Sequence, residues 1–262
     1  MTNATDPKSS ADTKDAETNE KVMPFLDHLE ELRKRLLKSI IAVTLASLGC
    51  YFYAQQIMNF LLRPYPHEKK LIFLAPTESF MIHLKVAIFA GILISLPIIF
   101  YQLWKFVAPG LYKKERKYAL WIVVFSTFFF LTGAIFCYYL VIPYGLNFLL
   151  TFGTDRIEAN IQIKEYIKFV TLLIFAFGIM FELPLLSLFL TKLGLLTPQF
   201  LRSKRRYSIV GIFILAAVIT PTTDVVTQTM LAGPLIILYE ISIWVCKFAL
   251  PKTKSKETKN AT

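Results

Sequence analysis

Six apolar runs separated by short polar segments organise this chain. They lie at about residues 37–56, 82–104, 118–142, 166–190, 207–220 and 225–246. A helix needs about 20 apolar residues to cross a hydrocarbon core of roughly 30 Å, and runs of this length predict transmembrane helices. The fifth run is the exception. From Tyr207 to Thr220 it rises only about 20 Å at 1.5 Å per residue. About four residues, Pro221 to Asp224, separate it from the sixth run. The two therefore read as an antiparallel pair that thins the bilayer locally.

Ahead of the first run, residues 23–36 (MPFLDHLEELRKRL) place Phe25, Leu29, Leu32 and Leu36 on one helical face. Asp27–Glu31 and Glu31–Arg35 stack at i, i+4 on the other side, which predicts an amphipathic helix along the inner membrane surface. Prolines punctuate the rest. Pro97, Pro184 and Pro234 fall inside runs, Pro143 closes the third, and Pro198 and Pro221 bracket the fifth. Each internal proline removes a backbone hydrogen bond and kinks its helix, so the bundle is expected to curve. The long segments 57–81 and 144–165, rich in Pro, Tyr and Phe, read as a packed cap. The fold class is thus an all-α integral membrane protein with six transmembrane helices in a curved bundle. One membrane domain over 23–247 is flanked by disordered tails at 1–22 and 248–262.

Charge orients this bundle. Counted from Lys21 onward, twenty of the 29 Lys and Arg residues fall ahead of or at the start of the first run, after the second and fourth runs, and after the sixth. The alternate segments hold only Arg63, Lys69, Lys70, Arg156, Lys164 and Lys168. The positive-inside rule then puts both termini and two loops on the cytoplasmic or equivalent side. The net charge of +11 finds its cause there, in topology and anionic lipid, and not in nucleic acid. Composition adds little more: 55% hydrophobic residues and a mean hydropathy of +0.53 leave no room for a soluble domain. Residues 1–20 lack the apolar core of a cleavable signal peptide. Cys50, Cys137 and Cys246 all fall in apolar runs and read as packing residues.

Few side chains offer chemistry. Glu182, in FGIMFELPLL, and Glu240, in LIILYEISIW, are carboxylates inside apolar runs, which insertion scales penalise by at least a few kcal/mol. They read either as a polar patch on the bundle's concave face or as protonated, hydrogen-bonded core groups. Gln228 and Asp224 stand at the entry to the sixth run. Glu31 and Glu115 stand among cations, in ELRKR and KKERK. They read as ordinary surface ion pairs or as recognition groups for a cationic ligand. No GxxxxGK[ST], HExxH or GxxxG occurs, and His28, His67 and His83 are scattered, so no nucleotide, metal or cofactor chemistry is expected. A secondary transporter using Glu182 and Glu240 is the main competing class, and an intramembrane enzyme the next. No internal repeat supports the transporter.

Four separated segments resemble motifs of the twin-arginine translocase TatC family, in the same order. They are FLDHLEELRKRL, PIIFYQLWKFVAPGLYKKERK (97–117), FGIMFELPLL and TPTTDVVTQTMLAGPLIILYE. The likeness covers about residues 23–247. It implies a glove-like six-helix fold with short fifth and sixth helices. It also implies a receptor for twin-arginine signal peptides of folded proteins, with Glu31, Glu115, Arg33, Phe106 and Pro97 at the signal site. It assigns Glu182 to an intramembrane position and Pro64 to an outer loop. The partners it implies are single-span TatA/TatB-type subunits and further copies in a receptor complex. Export would be driven by the proton gradient, in a bacterial inner or thylakoid membrane.

Overall fold

The computed structural model describes residues 12–66, 71–107, 119–151, 161–220 and 225–249, with side chains from Asp27 onward. The described chain is helical apart from one isolated bridge. Glu115, Asp224, Pro221, residues 1–11 and the tail from 250 lie outside it.

Helix α1 runs unbroken from Asp12 to Tyr51. The amphipathic segment does not form a separate surface helix. No glycine or proline interrupts Phe25–Leu48, so it continues directly into the first apolar run. At Tyr51 the chain turns by 84° into α2 (Ala54–Leu62). Phe52 stands 83% exposed at the corner. Helix α3 (Pro76–Val107) returns alongside α1.

The α1–α3 crossing is tight because small residues meet there. A Cβ on Gly91 would sit 2.6 Å from the Ser47 backbone nitrogen, a separation no side chain tolerates. The Ser95 hydroxyl donates to the Ala42 carbonyl at 3.2 Å. Without a hydrophobic drive between helices in lipid, such close backbone approach and interhelical hydrogen bonds are what hold them. The crossing also sets a register. The walk from Ser47 back to Glu31 matches, within one residue, the walk from Gly91 forward to Phe106, so Glu31 and Phe106 arrive at the same level.

Helix α4 (Ala119–Phe136) passes through a π-helical turn (Cys137–Val141) into α5 (Ile142–Thr151). The third apolar run therefore does not stop at Pro143. The widened turn accommodates the proline ring that would clash with the preceding carbonyl. Helix α6 (Ile163–Phe181) crosses α4 through reciprocal glycines. A Cβ on Gly133 would meet the Phe177 carbonyl at 2.7 Å, and one on Gly178 the Phe130 ring at 2.5 Å. Pro184 breaks the fourth span at Glu182, after which α7 (Leu183–Lys192) continues.

Helix α8 (Pro198–Ser203) is a short turn, capped by the Thr197 hydroxyl on the Phe200 N–H. Helix α9 (Arg205–Ile219) has 15 residues, too few to cross a full bilayer. Helix α10 (Val225–Ala249) is longer, at 25 residues, and packs on both α9 and α7. Among the described residues four helices are long and apolar enough to span, or five if the bent α1–α2 pair is one span.

At the end opposite Glu31, the two long segments close on each other. Ile72 and Gln162 form a parallel bridge, with the Ile72 N–H donating to the Ile161 carbonyl at 3.2 Å. Tyr166 donates to the Leu61 carbonyl at 2.9 Å and Tyr138 to the Phe60 carbonyl at 2.6 Å. These bonds tie α2 over α4 and α6 and form the expected cap. The main core lies beneath it, around Tyr166, Phe177, Leu173, Leu235 and Ile243.

Candidate functional site

The α1–α3 register brings Phe106, one of the sequence-predicted residues, against α1. The His28 ring stacks on Phe106, with centroids 4.3 Å apart and planes 15° from parallel. One turn further along α1, Glu31 pairs with Arg35, whose Nε lies 3.1 Å from Oε1. Both guanidinium contacts go to that one oxygen. The Glu31 side chain is 35% exposed, and Oε2 stands without a guanidinium partner among the described residues. Arg35, with help from His28 and Lys105, holds the Glu31 carboxyl below the usual carboxylate range. Desolvation pushes the other way and is outweighed by the Arg35 hydrogen bond.

The surroundings are graded. Lys105 leans over the Tyr101 ring at 5.5 Å and stays close enough to act on the Glu31 carboxyl. Arg33 is exposed and acts on Glu30, which pairs with Lys34 at 2.8 Å. Pro97 is exposed inside α3, more than two turns before Phe106, where it can redirect the helix end but does not touch Glu31. Glu115 lies outside the described residues. His28 was not among the residues singled out from the sequence. Its only signal there is its position three residues before Glu31 on one helical face.

The intramembrane carboxylates go to separate places. Glu182 is 6% exposed at the α6–α7 break, and its Oε1 has no hydrogen-bond partner. The Ser126 hydroxyl lies beside its carboxyl and accepts from Trp104 Nε1 at 3.2 Å. Trp104 in turn packs edge-on against Phe189, with centroids 4.5 Å apart. Glu182 thus ends a polar path from α3 through α4, sealed by aromatic rings. Glu240 instead pairs with Arg205 at 2.5 Å, and next to it Tyr239 donates to the Leu201 carbonyl at 2.7 Å. Together they clamp the α8–α9 junction onto α10. Gln228 donates to the Phe213 carbonyl at 3.0 Å, joining α10 to α9. Twelve residues separate Gln228 from Glu240 on one helix, about 18 Å, so these two groups sit at different depths. Pro64 is half-buried, just past the end of α2 in the cap.

Among the described residues no cluster of His, Cys, Asp and Glu could hold a metal ion. The cysteines are buried and free, and Cys246 packs against the Thr191 hydroxyl at 2.7 Å.

Comparison with known proteins gives this geometry its setting. Residues 27–234 match the family model described as Sec-independent protein translocase protein (TatC). The chain is 47% identical over 230 residues to a Helicobacter pylori Sec-independent protein translocase protein TatC, covering 88% of this chain and 91% of that one. It is 42% identical to the Carboxydothermus hydrogenoformans TatC, over 92% and 99% of the two chains. It is 38% identical to the chloroplastic TATC of Pisum sativum, over 88% of this chain and 66% of that one. A crystal structure of TatC, named the twin-arginine translocase receptor, superposes with a TM-score of 0.77 at 41% identity, over 85% of this chain and 99% of that one. On these matches the chain belongs to the TatC family of Sec-independent protein translocase proteins, integral membrane proteins of bacterial inner and thylakoid membranes.

Proposed function

We propose that this chain is the receptor and core subunit of a twin-arginine translocase. It binds twin-arginine signal peptides of folded precursor proteins and recruits TatA/TatB-type single-span subunits, with which further copies of the chain assemble into a receptor complex. The supporting observation is the α1–α3 junction, where a half-engaged carboxylate stands beside an aromatic stack.

Arginine carries a planar fork that meets a carboxylate through two parallel N–H donors, and lysine cannot reproduce it. Glu31 Oε2 accepts both donors of one signal arginine, as Oε1 accepts two from Arg35, which holds the carboxylate charged and oriented. Glu115 follows Phe106 in the same segment and supplies the second carboxylate. Two sites at fixed spacing select two consecutive arginines more sharply than either site alone. Arg33, Lys34 and Lys105 repel cations that arrive out of register. The His28–Phe106 stack offers the signal's apolar stretch a platform, and Pro97 sets the angle at which α3 presents it.

Glu182 is assigned to the contact with a membrane-embedded helix, of the signal or of a partner. An unpartnered carboxyl oxygen in an apolar bundle is costly and is relieved by a donor on an incoming helix. Pro64 and Asp224 belong to the opposite end, with structural roles. Cargo passage falls to the recruited subunits, driven by the proton gradient.

The test is binding of matched Arg-Arg and Lys-Lys signal peptides to the purified chain. Wild type should prefer Arg-Arg by about tenfold or more. Glu31→Gln with Glu115→Gln should abolish that preference while the protein stays inserted. A double variant that still discriminates would remove the site assignment.

A further inference from the structure

A crevice of about 290 Å³ opens between α2, α3 and α4, at the end of the molecule opposite Glu31. Ile57, Phe60, Ala90, Leu93, Ala134 and Tyr138 line it. It exists because Ala90 and Ala134 stand where larger side chains would close the gap. Its rim faces the hydrocarbon, with Ile135 58% and Tyr139 67% exposed. Of the two tyrosines around it, Tyr138 spends its hydroxyl on the Phe60 carbonyl and Tyr139 stands at the exposed rim.

Arg63 stands at the outer end of this crevice. Three residues after Phe60, it shares a helical face with it, and its guanidinium lies 5.6 Å from the Phe60 ring centroid. It is exposed and has no carboxylate partner among the described residues. Together with Asn59 it also lines a second recess of about 440 Å³. Asn59 accepts from Gln55 through Oδ1, which leaves its amide N–H groups to donate.

We propose that this is a binding site for a phospholipid with an anionic headgroup. One acyl chain occupies the apolar crevice, and the phosphate sits on Arg63 and the Asn59 amide. The crevice chemistry selects the ligand. A peptide strand would bring N–H and C=O groups that nothing in the lining could satisfy. A helix is too large, since one turn of about 10 Å diameter and 5.4 Å pitch fills roughly 400 Å³. An alkyl chain carries no hydrogen-bonding group and suits a cavity that water does not fill. The chain gains no hydrophobic advantage over bulk lipid, so selectivity comes from the headgroup. A guanidinium fork without an internal acid favours a phosphate whose charge is not offset by a headgroup ammonium.

The experiment is native mass spectrometry of the detergent-purified full chain, titrated with phosphatidylglycerol or phosphatidylcholine of the same acyl chains. Wild type should retain phosphatidylglycerol about tenfold more strongly. Arg63→Gln, an exposed substitution, should remove that preference, while Lys164→Gln, an exposed cation elsewhere, should leave it intact. Ala134→Leu, which fills the crevice, should lower retention of both lipids. Soluble glycerol phosphate should not compete. Equal phosphatidylglycerol retention in Arg63→Gln and wild type would overturn the proposal. Unchanged retention in Ala134→Leu would overturn the acyl-chain placement. Full competition by glycerol phosphate would show a free-anion site and overturn the lipid.

Discussion

Two glutamates illustrate how a side chain's surroundings decide its use. Glu31 is half-exposed, charged, and bonded through one oxygen only. Its lowered pKa means that the charged form is present at neutral pH and is lost only as pH falls through a value below the ordinary carboxylate one. The Glu31 contribution to Arg-Arg peptide binding should therefore persist as pH falls through the ordinary carboxylate range and be lost only below it. Arg35→Gln removes the main cause of the lowering, so the acid limb should move to higher pH. Peptide titrations across pH check both, and an unchanged limb in Arg35→Gln would separate Glu31 from the binding step. Glu182 is the opposite case, buried with an orphaned oxygen. An apolar side chain of similar size removes the cost of the orphaned oxygen, which offsets the loss of the Ser126 contact. Glu182→Leu should accordingly keep its melting temperature and its peptide binding, yet fail to assemble with single-span partners. Full assembly in that variant would return Glu182 to an ordinary core group.

Among elements, the α1–α3 pair matters most, because the site is built where two helices meet and not on either one. Gly91→Val should test this at a distance. Its Cβ would strike the Ser47 backbone, which cannot move aside as a flexible side chain would. Overpacking of this kind costs typically about 1–3 kcal/mol. The variant should melt lower and lose Arg-Arg selectivity, although Gly91 lies some 22 Å along α3 from Phe106. Thermal unfolding and peptide binding, measured on the same sample, check it. Much of this level was legible in the sequence. Apolar runs gave α3, α4, α6 and α10 their places, and the 15-residue α9 follows from a run that was visibly too short. Other features were not. The nine-residue α2 reads as loop because FLLRPYP carries turn residues, and only its ties to Tyr138 and Tyr166 hold it as a helix. The π turn before Pro143 answers a steric demand that periodicity does not register. The Arg205–Glu240 pair joins residues 35 apart, and the His28–Phe106 stack joins two helices, so no local spacing announces either.

At the scale of the molecule, the two ends differ in kind. One end gathers cations, the half-engaged Glu31 and an aromatic stack. The other is a cap stitched by tyrosines and one parallel bridge. Between them runs a bundle whose described core is packed with large apolar side chains. Such an architecture suits a receptor that reads a short peptide at one face and engages partner helices from within the membrane. In this account folded cargo passes through structures that the partners supply, so the chain alone should bind signals without transporting. The resemblance of four separated sequence segments pointed to the family, and the matches over most of the chain establish it.

The most direct measurement is photo-crosslinking in membranes, with a probe at Phe106 or at Arg63, against signal peptides differing only in Arg-Arg or Lys-Lys. The account predicts crosslinks at Phe106 that favour Arg-Arg and disappear with Glu31→Gln, and none at Arg63. Equal yields for the two peptides at Phe106, or Arg-Arg-dependent crosslinks at Arg63, would contradict it.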